Sequence, residues 1–221
     1  MGYVAAIILL MSFDIVYILI VIVVILISMT LHEAMHAYTS YWLGDDTAKL
    51  SGRLTLNPIK HIDPVMTLLL PLLLAIAGGP VFGGAKPVPF NSSKLKFGEW
   101  GITIVAMAGP FTNLLIAFIS VGIWALFTPS NQSLFSQILV TSASVNLGFF
   151  VFNMIPIPPL DGSRLLYALA PEFVRRGMEH MERFGIVIVF ALFLVAGTYL
   201  ESYMLSSTNF LLNAFCRVFG I

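Results

Sequence analysis

Residues 15–43 read IVYILIVIVVILISMTLHEAMHAYTSYWL, and this run decides the class of the fold. Its first half is uninterrupted hydrocarbon, yet its second half carries His32, Glu33 and His36. The wider apolar stretch 3–43 is too long for one upright membrane crossing and short for two, and Asp14 divides it unevenly. The reading is a main helix over 15–43 and a short extra segment over 3–13. The whole chain has the same character: 58% of its 221 residues are hydrophobic and 10% charged, with a mean hydropathy of +0.95. Soluble domains carry about 25% charged residues, so a soluble fold is excluded and an all-α polytopic membrane protein is expected.

Eleven basic residues balance eleven acidic ones, which argues against nucleic acid as a partner. The single cysteine, Cys216, excludes an internal disulfide and a cysteine-based metal cluster. Any metal must be held by His, Asp or Glu. No Lys or Arg precedes Lys49, so the beginning of the chain lacks the basic region of a cleaved signal peptide and is expected to stay attached as a membrane helix.

Beyond residue 43, the polar stretch 44–63 contains Gly52, Asn57-Pro58 and the alternating Arg53-Leu54-Thr55-Leu56, which predicts a short strand or hairpin. Residues 64–79 are apolar but short, interrupted by Pro71 and closed by Gly78-Gly79-Pro80, a pattern that suits a re-entrant segment. Residues 82–100 are polar. Two strong spans follow over 102–127 and 134–155, joined by a short loop, and a last span covers 185–200 ahead of a mostly apolar tail. The expectation is four to six transmembrane helices with short membrane-associated β segments, forming one domain over 1–221. Its core is 15–170, and 184–221 is an additional C-terminal membrane segment.

Basic residues concentrate on the cytoplasmic face of membrane proteins. If 64–79 crosses, Lys86, Lys94, Lys96, Arg164, Arg175, Arg176 and Arg183 face one side, and Lys49, Arg53, Lys60 and Arg217 the other. If it dips in and returns, all but Arg217 share one face. The second arrangement fits far better. It places His32 and His36 in the cytoplasmic half of the first helix and the chain after residue 155 at the same face.

His32 and His36 belong to an HExxH pattern. Positions i and i+4 share one helix face, so both rings can present nitrogen to one zinc ion, with Glu33 beside the metal to act as a base toward water. Two histidines and a glutamate inside an apolar helix are costly, and such groups are functional by default. The alternative is purely structural polar contact. A catalytic zinc needs a third protein donor. His61 and His180 lie in polar loops and can serve; the better candidate is Asp161 in Asn153-Met154-Ile155-Pro156-Ile157-Pro158-Pro159-Leu160-Asp161-Gly162. There three prolines end a helix and predict an extended segment able to turn a carboxylate back toward the bundle. An ordinary Pro-rich turn is the competing interpretation.

HExxH in an early membrane helix with NxxPxPxLDG after a late one closely resembles the site-2 protease family of intramembrane zinc metalloproteases. GRLTLNP at 52–58, HIDP at 61–64, GAKPVP at 84–89 and AGPFTN at 108–113 resemble its compact prokaryotic branch, in order, over most of 28–170. The resemblance implies zinc held by His32, His36 and Asp161, Glu33 as catalytic base, and a substrate role for Asn153. It implies an endopeptidase cutting transmembrane segments of other proteins inside a prokaryotic cell membrane, with the active site near the cytoplasmic face. The PDZ insertion and nucleotide-sensing tail of some members are missing.

Asn113 and Asn153 sit in or beside apolar spans, where each amide either contacts substrate or ties helices together. Lys86, Pro87 and Val88 open a stretch in which alternating prolines leave one edge free, so they are candidates for holding an unwound substrate by strand addition, with a plain Pro-rich turn as the alternative. Arg175, Arg176 and Arg183 mark the cytoplasmic interface. A divalent-metal transporter or metal-sensing membrane protein is the competing function, although its ionisable groups would be spread through the depth of the membrane. A non-catalytic helix-binding relative is disfavoured by the presence of Glu33.

Overall fold

The computed structural model describes residues 15–69, 84–128 and 133–221. Helix α1 spans Ile15–Trp42, and its buried residues Ile20, Val24, Ser28, His32, His36 and Ser40 recur every fourth position. That stripe turns from aliphatic to polar along its length and faces the protein, while Leu19, Ile22, Val23 and Ile27 are exposed. A short helix α2 covers Thr47–Leu50, α3 Glu99–Phe127, α4 Leu134–Asn153, α5 Gly162–Leu169, α6 Glu172–Glu182 and α7 Gly185–Phe219. Among the described residues, α1, α3, α4 and α7 are long and apolar enough to cross a membrane. The chain is therefore an integral membrane protein whose regular structure, among the described residues, is helical.

The bundle centre is α3, packed on α1 and α4, with α7 against α4. Lipid tails are as apolar as Leu, so helices associate in a bilayer through close packing of small residues and hydrogen bonds rather than the hydrophobic effect. The buried positions of α3 and α4 reflect this: Gly101, Gly109, Ala117, Ser120, Gly122, Ala143 and Asn146 lie inside. Ser120 Oγ and Ser142 Oγ are 2.9 Å apart, and Trp124 Nε1 donates to Ser136 Oγ at 3.0 Å. Ser133 caps α4 by accepting from the Ser136 amide at 3.1 Å.

The predicted β segments do not form; among the described residues there is no strand. Around 44–63, capping chemistry takes over. Gly52, at φ +67°, ends α2 with paired bonds from Gly52 N to the Lys49 carbonyl and from Arg53 N to the Ala48 carbonyl, a Schellman stop. Asn57-Pro58 starts a 3₁₀ turn, the Asn57 side chain accepting from Ile59 N at 3.1 Å with Pro58 in the first position. The alternating residues between them are only a bridge. Residues 84–91 likewise carry no ladder; they are pinned by single bonds, such as Lys86 N to the His61 carbonyl at 2.9 Å.

Two further expectations change. The chain after α4 is not extended but folds into successive tight turns through Ile157 N to Ile155 O, Leu160 N to Ile157 O and Ser163 N to Leu160 O. Ile155 and Leu160 are buried against Leu200 of α7. The predicted last span over 185–200 continues to Phe219 as one 35-residue helical run, interrupted only by non-helical angles at Ala196. The segment 3–13 lies outside the described residues, as does most of the expected re-entrant stretch 64–79, of which Pro64–Leu69 forms a π-helical turn.

Asp45 ties the end of α1 to the segment entering α3. It is fully buried and accepts from Ser40 Oγ at 3.1 Å, Thr47 N at 3.0 Å, Thr47 Oγ1 at 2.5 Å and Asn91 N at 2.6 Å. Burial alone would raise its carboxyl, but the hydrogen bonds from Thr47, Asn91 and Ser40 outweigh it and hold the group below the ordinary carboxylate range. Its stabilising contribution is therefore present above about pH 4, the unfolded value, and is lost as pH falls through the lower folded value. Asp45→Ala strands several buried donors and is expected to cost about 2–3 kcal/mol. Denaturant unfolding in mixed micelles at pH 7 measures the loss, and the variant should lack this part of the acid sensitivity.

Candidate functional site

Helix α1 delivers His32 and His36 on its buried stripe, and the turns after α4 deliver Asp161. Gly162 makes the return possible: a Cβ there would lie 2.4 Å from the Met154 carbonyl oxygen, so only glycine lets α5 start directly against the end of α4. The three predicted ligands come together. His32 Nε2 and His36 Nε2 are 3.0 Å apart, and Asp161 Oδ2 lies 3.2 Å from the first and 3.5 Å from the second. A tetrahedral zinc with bond lengths of about 2.05 Å requires its ligand atoms to be about 3.3 Å apart. The triangle therefore has the edge of a zinc coordination face.

Protons give a second test of fit. His36 Nδ1 lies 2.7 Å from the Val105 carbonyl oxygen, which only accepts, so Nδ1 carries the hydrogen and the neutral ring turns a bare Nε2 toward His32 and Asp161. Electron-rich atoms this close repel unless a cation lies among them, and the donor set of two imidazoles and one carboxylate suits zinc. Among the described residues, His32, His36 and Asp161 are the group of three that can hold a metal.

Glu33 and the three donors line one cleft of about 560 Å³, together with Gly84, Ala85, Pro87, Val88, Phe90, Asn153, Arg164 and Ile186. Asn153 holds its place by donating from Nδ2 to the Phe149 carbonyl at 3.0 Å. Lys86 is exposed and does not line the cleft; its backbone carbonyl instead receives the Arg53 guanidinium, which also lies 3.5 Å from the Pro87 carbonyl. Asn113 is fully buried and away from the cleft, with its amide taken up by His32 and Asn146. His61 is buried in the loop network, bonded through Nε2 to the Thr55 carbonyl at 2.9 Å, and His180 packs edge-on against Phe184. Neither approaches the donors.

Three contributors escape a sequence reading. Arg53 buttresses the cleft wall from within a motif that had no assigned role. Gly109 has the α3 backbone pressed against the imidazoles: an added Cβ would lie 2.4 Å from His36 Nε2 and 2.6 Å from His32 Nε2. Asn146, an amide in the middle of an apolar span, carries the same signal that singled out Asn113.

Residues 123–196 match the family model described as Peptidase family M50. Over 191 residues the chain is 39% identical to YwhC of Bacillus subtilis (strain 168), named as a candidate zinc metalloprotease, covering 83% of each. It is 33% identical over 171 residues to Rip2 of Mycolicibacterium smegmatis, which carries the same description, covering 76% of this chain and 63% of that one. A shorter match, 40% over 62 residues, links it to MJ0611 of Methanocaldococcus jannaschii, again so described. No solved structure matches the chain.

Proposed function

Because the chain belongs to peptidase family M50 and is a zinc metalloprotease, we propose that it hydrolyses peptide bonds in or beside the transmembrane segments of other membrane proteins. His32, His36 and Asp161 hold the zinc and Glu33 is the general base. The observation that carries this reading is the 3.0–3.5 Å donor triangle in a cleft shared with Glu33, built on helices of membrane-spanning length.

Zinc held by His32, His36 and Asp161 would supply Lewis-acid chemistry, polarising a scissile carbonyl and making water more acidic. Glu33 is placed to accept a proton from the attacking water as its oxygen adds to the carbonyl carbon, and to deliver it to the amide nitrogen as the C–N bond breaks. Asn153, on the cleft wall, hydrogen-bonds substrate backbone or the developing oxyanion. Pro87 and Val88 line the same cleft, where the 84–91 backbone receives an unwound substrate; Lys86 contributes through its backbone.

Thr67 Oγ1 donates to the Gly84 carbonyl at 2.6 Å and Lys96 N to the Leu43 carbonyl at 2.9 Å, so the connection between α1 and α3 leaves and returns at one end of the bundle. With the basic residues of that connection gathered at this end, it is the cytoplasmic end, and the active site lies near that face of a prokaryotic cell membrane. The site belongs to one domain over 1–221.

The test is incubation of purified protein with single-span substrates, with and without a zinc chelator. Cleavage should stop with chelator and return with zinc, and His32→Ala should lose both bound zinc and cleavage. Chelator-resistant cleavage, or metal flux into liposomes without cleavage, would overturn the proposal.

A further inference from the structure

The buried amides between α1, α3 and α4 have a direction that can be read from one backbone group. Asn146 Nδ2 lies 2.8 Å from the Ser142 carbonyl oxygen, which has no hydrogen to give, so the amide nitrogen of Asn146 must be at that end. The same nitrogen donates to Ser28 Oγ on α1 at 2.8 Å. The other end of Asn146, Oδ1, therefore accepts, and its partner at 2.7 Å is Asn113 Nδ2. That orientation turns Asn113 Oδ1 toward His32 Nδ1, 2.6 Å away. An amide oxygen only accepts, so His32 carries its hydrogen on Nδ1 and leaves Nε2 bare.

Without this relay the opposite tautomer has a strong attraction. A hydrogen on His32 Nε2 would point at Asp161 Oδ2, 3.2 Å away, and would occupy the direction a cation needs. The relay is shielded from bulk solvent: Asn113 and Asn146 are 0% exposed and Ser28 2%. The polarity set at the Ser142 carbonyl thus reaches the donor triangle through two side chains on two helices. We propose that Asn113 and Asn146 are positioning residues that hold His32 in its Nδ1–H form and thereby keep Nε2 open to zinc. This rests on the reading of His32 as a zinc ligand.

Asn146 is the position to test, because it touches neither the donor triangle nor the cleft. Metal-free protein labelled with ¹⁵N-histidine in micelles reports the His32 tautomer from its ring nitrogen shifts, and chelator competition reports zinc affinity. In Asn146→Leu, which keeps most of the volume, and in Asn146→Ala, His32 should shift toward the Nε2–H form and zinc affinity should fall roughly 10–100-fold. Ser120→Ala, which removes the neighbouring contact to Ser142 Oγ at 2.9 Å, should change neither. The relay is refuted if the folded Asn146 variants keep the Nδ1–H form and wild-type zinc affinity, or if Ser120→Ala moves both quantities equally. A His32→Ala protein that binds zinc like the wild type would instead refute His32 as a ligand.

Discussion

Glu33→Gln is expected to bind zinc as the wild type does and to cleave on the order of 10²–10⁴ times more slowly, the usual contribution of a positioned general base. The side chain lines the cleft beside the donor triangle without belonging to it, so exchanging one oxygen for an amide leaves His32, His36 and Asp161 untouched. The amide has no basic site at neutral pH. It can neither take a proton from water nor return one to the leaving nitrogen. Metal analysis and cleavage of a single-span substrate separate the two effects. Undiminished cleavage would remove Glu33 from the mechanism, and loss of zinc in step with activity would make it a ligand instead.

Gly109→Ala is expected to lose zinc although every proposed ligand and the base remain. Its Cβ would stand 2.4 Å from His36 Nε2 and Ala cannot rotate it away, since Cβ belongs to the backbone frame. The rings cannot easily yield either: His36 is bonded to the Val105 carbonyl at 2.7 Å and His32 to Asn113 at 2.6 Å. Relief requires breaking those bonds or pushing α3 away from α1. We expect zinc affinity to drop roughly 100-fold or more, above the usual cost of one supporting contact, with cleavage falling in parallel. Gly148→Ala on α4, where a Cβ meets nothing within 4 Å, is the neutral control. Wild-type zinc affinity in Gly109→Ala would contradict the close approach of α3 to the HExxH face.

Local chemistry explains which expectations were met. The HExxH spacing places two rings on one face of a helix because 3.6 residues make a turn, and no tertiary information is needed for that. The spans over 15–43, 102–127 and 134–155 were readable for the same kind of reason, hydrocarbon length against bilayer thickness. Over 44–63 the caps decide against β structure: Gly52 and Asn57-Pro58 have the chemistry of turns between strands, but here they stop one helix and start another. Alternation over four residues is too short to outweigh a Schellman stop and an Asn-capped, Pro-led turn. The last span, predicted over 185–200, runs on through an exposed Glu201 to Phe219, with non-helical angles at Ala196, because the apolar tail keeps helical packing available to it.

The sequence alone determined a membrane-embedded helical protein, the chemical types of the donors, and the pairing of His32 with His36, all of which follow from periodicity and composition along a single segment. The tertiary structure decided what depends on distance between segments. It decided that Asp161 Oδ2 reaches the two imidazoles, that Gly109 gives them room, and that Asn113 answers to Asn146 and Ser28, the latter pair 118 positions apart. Hydrogen bonds and steric overlap act over a few ångströms of space, and only the packed helices set those ångströms.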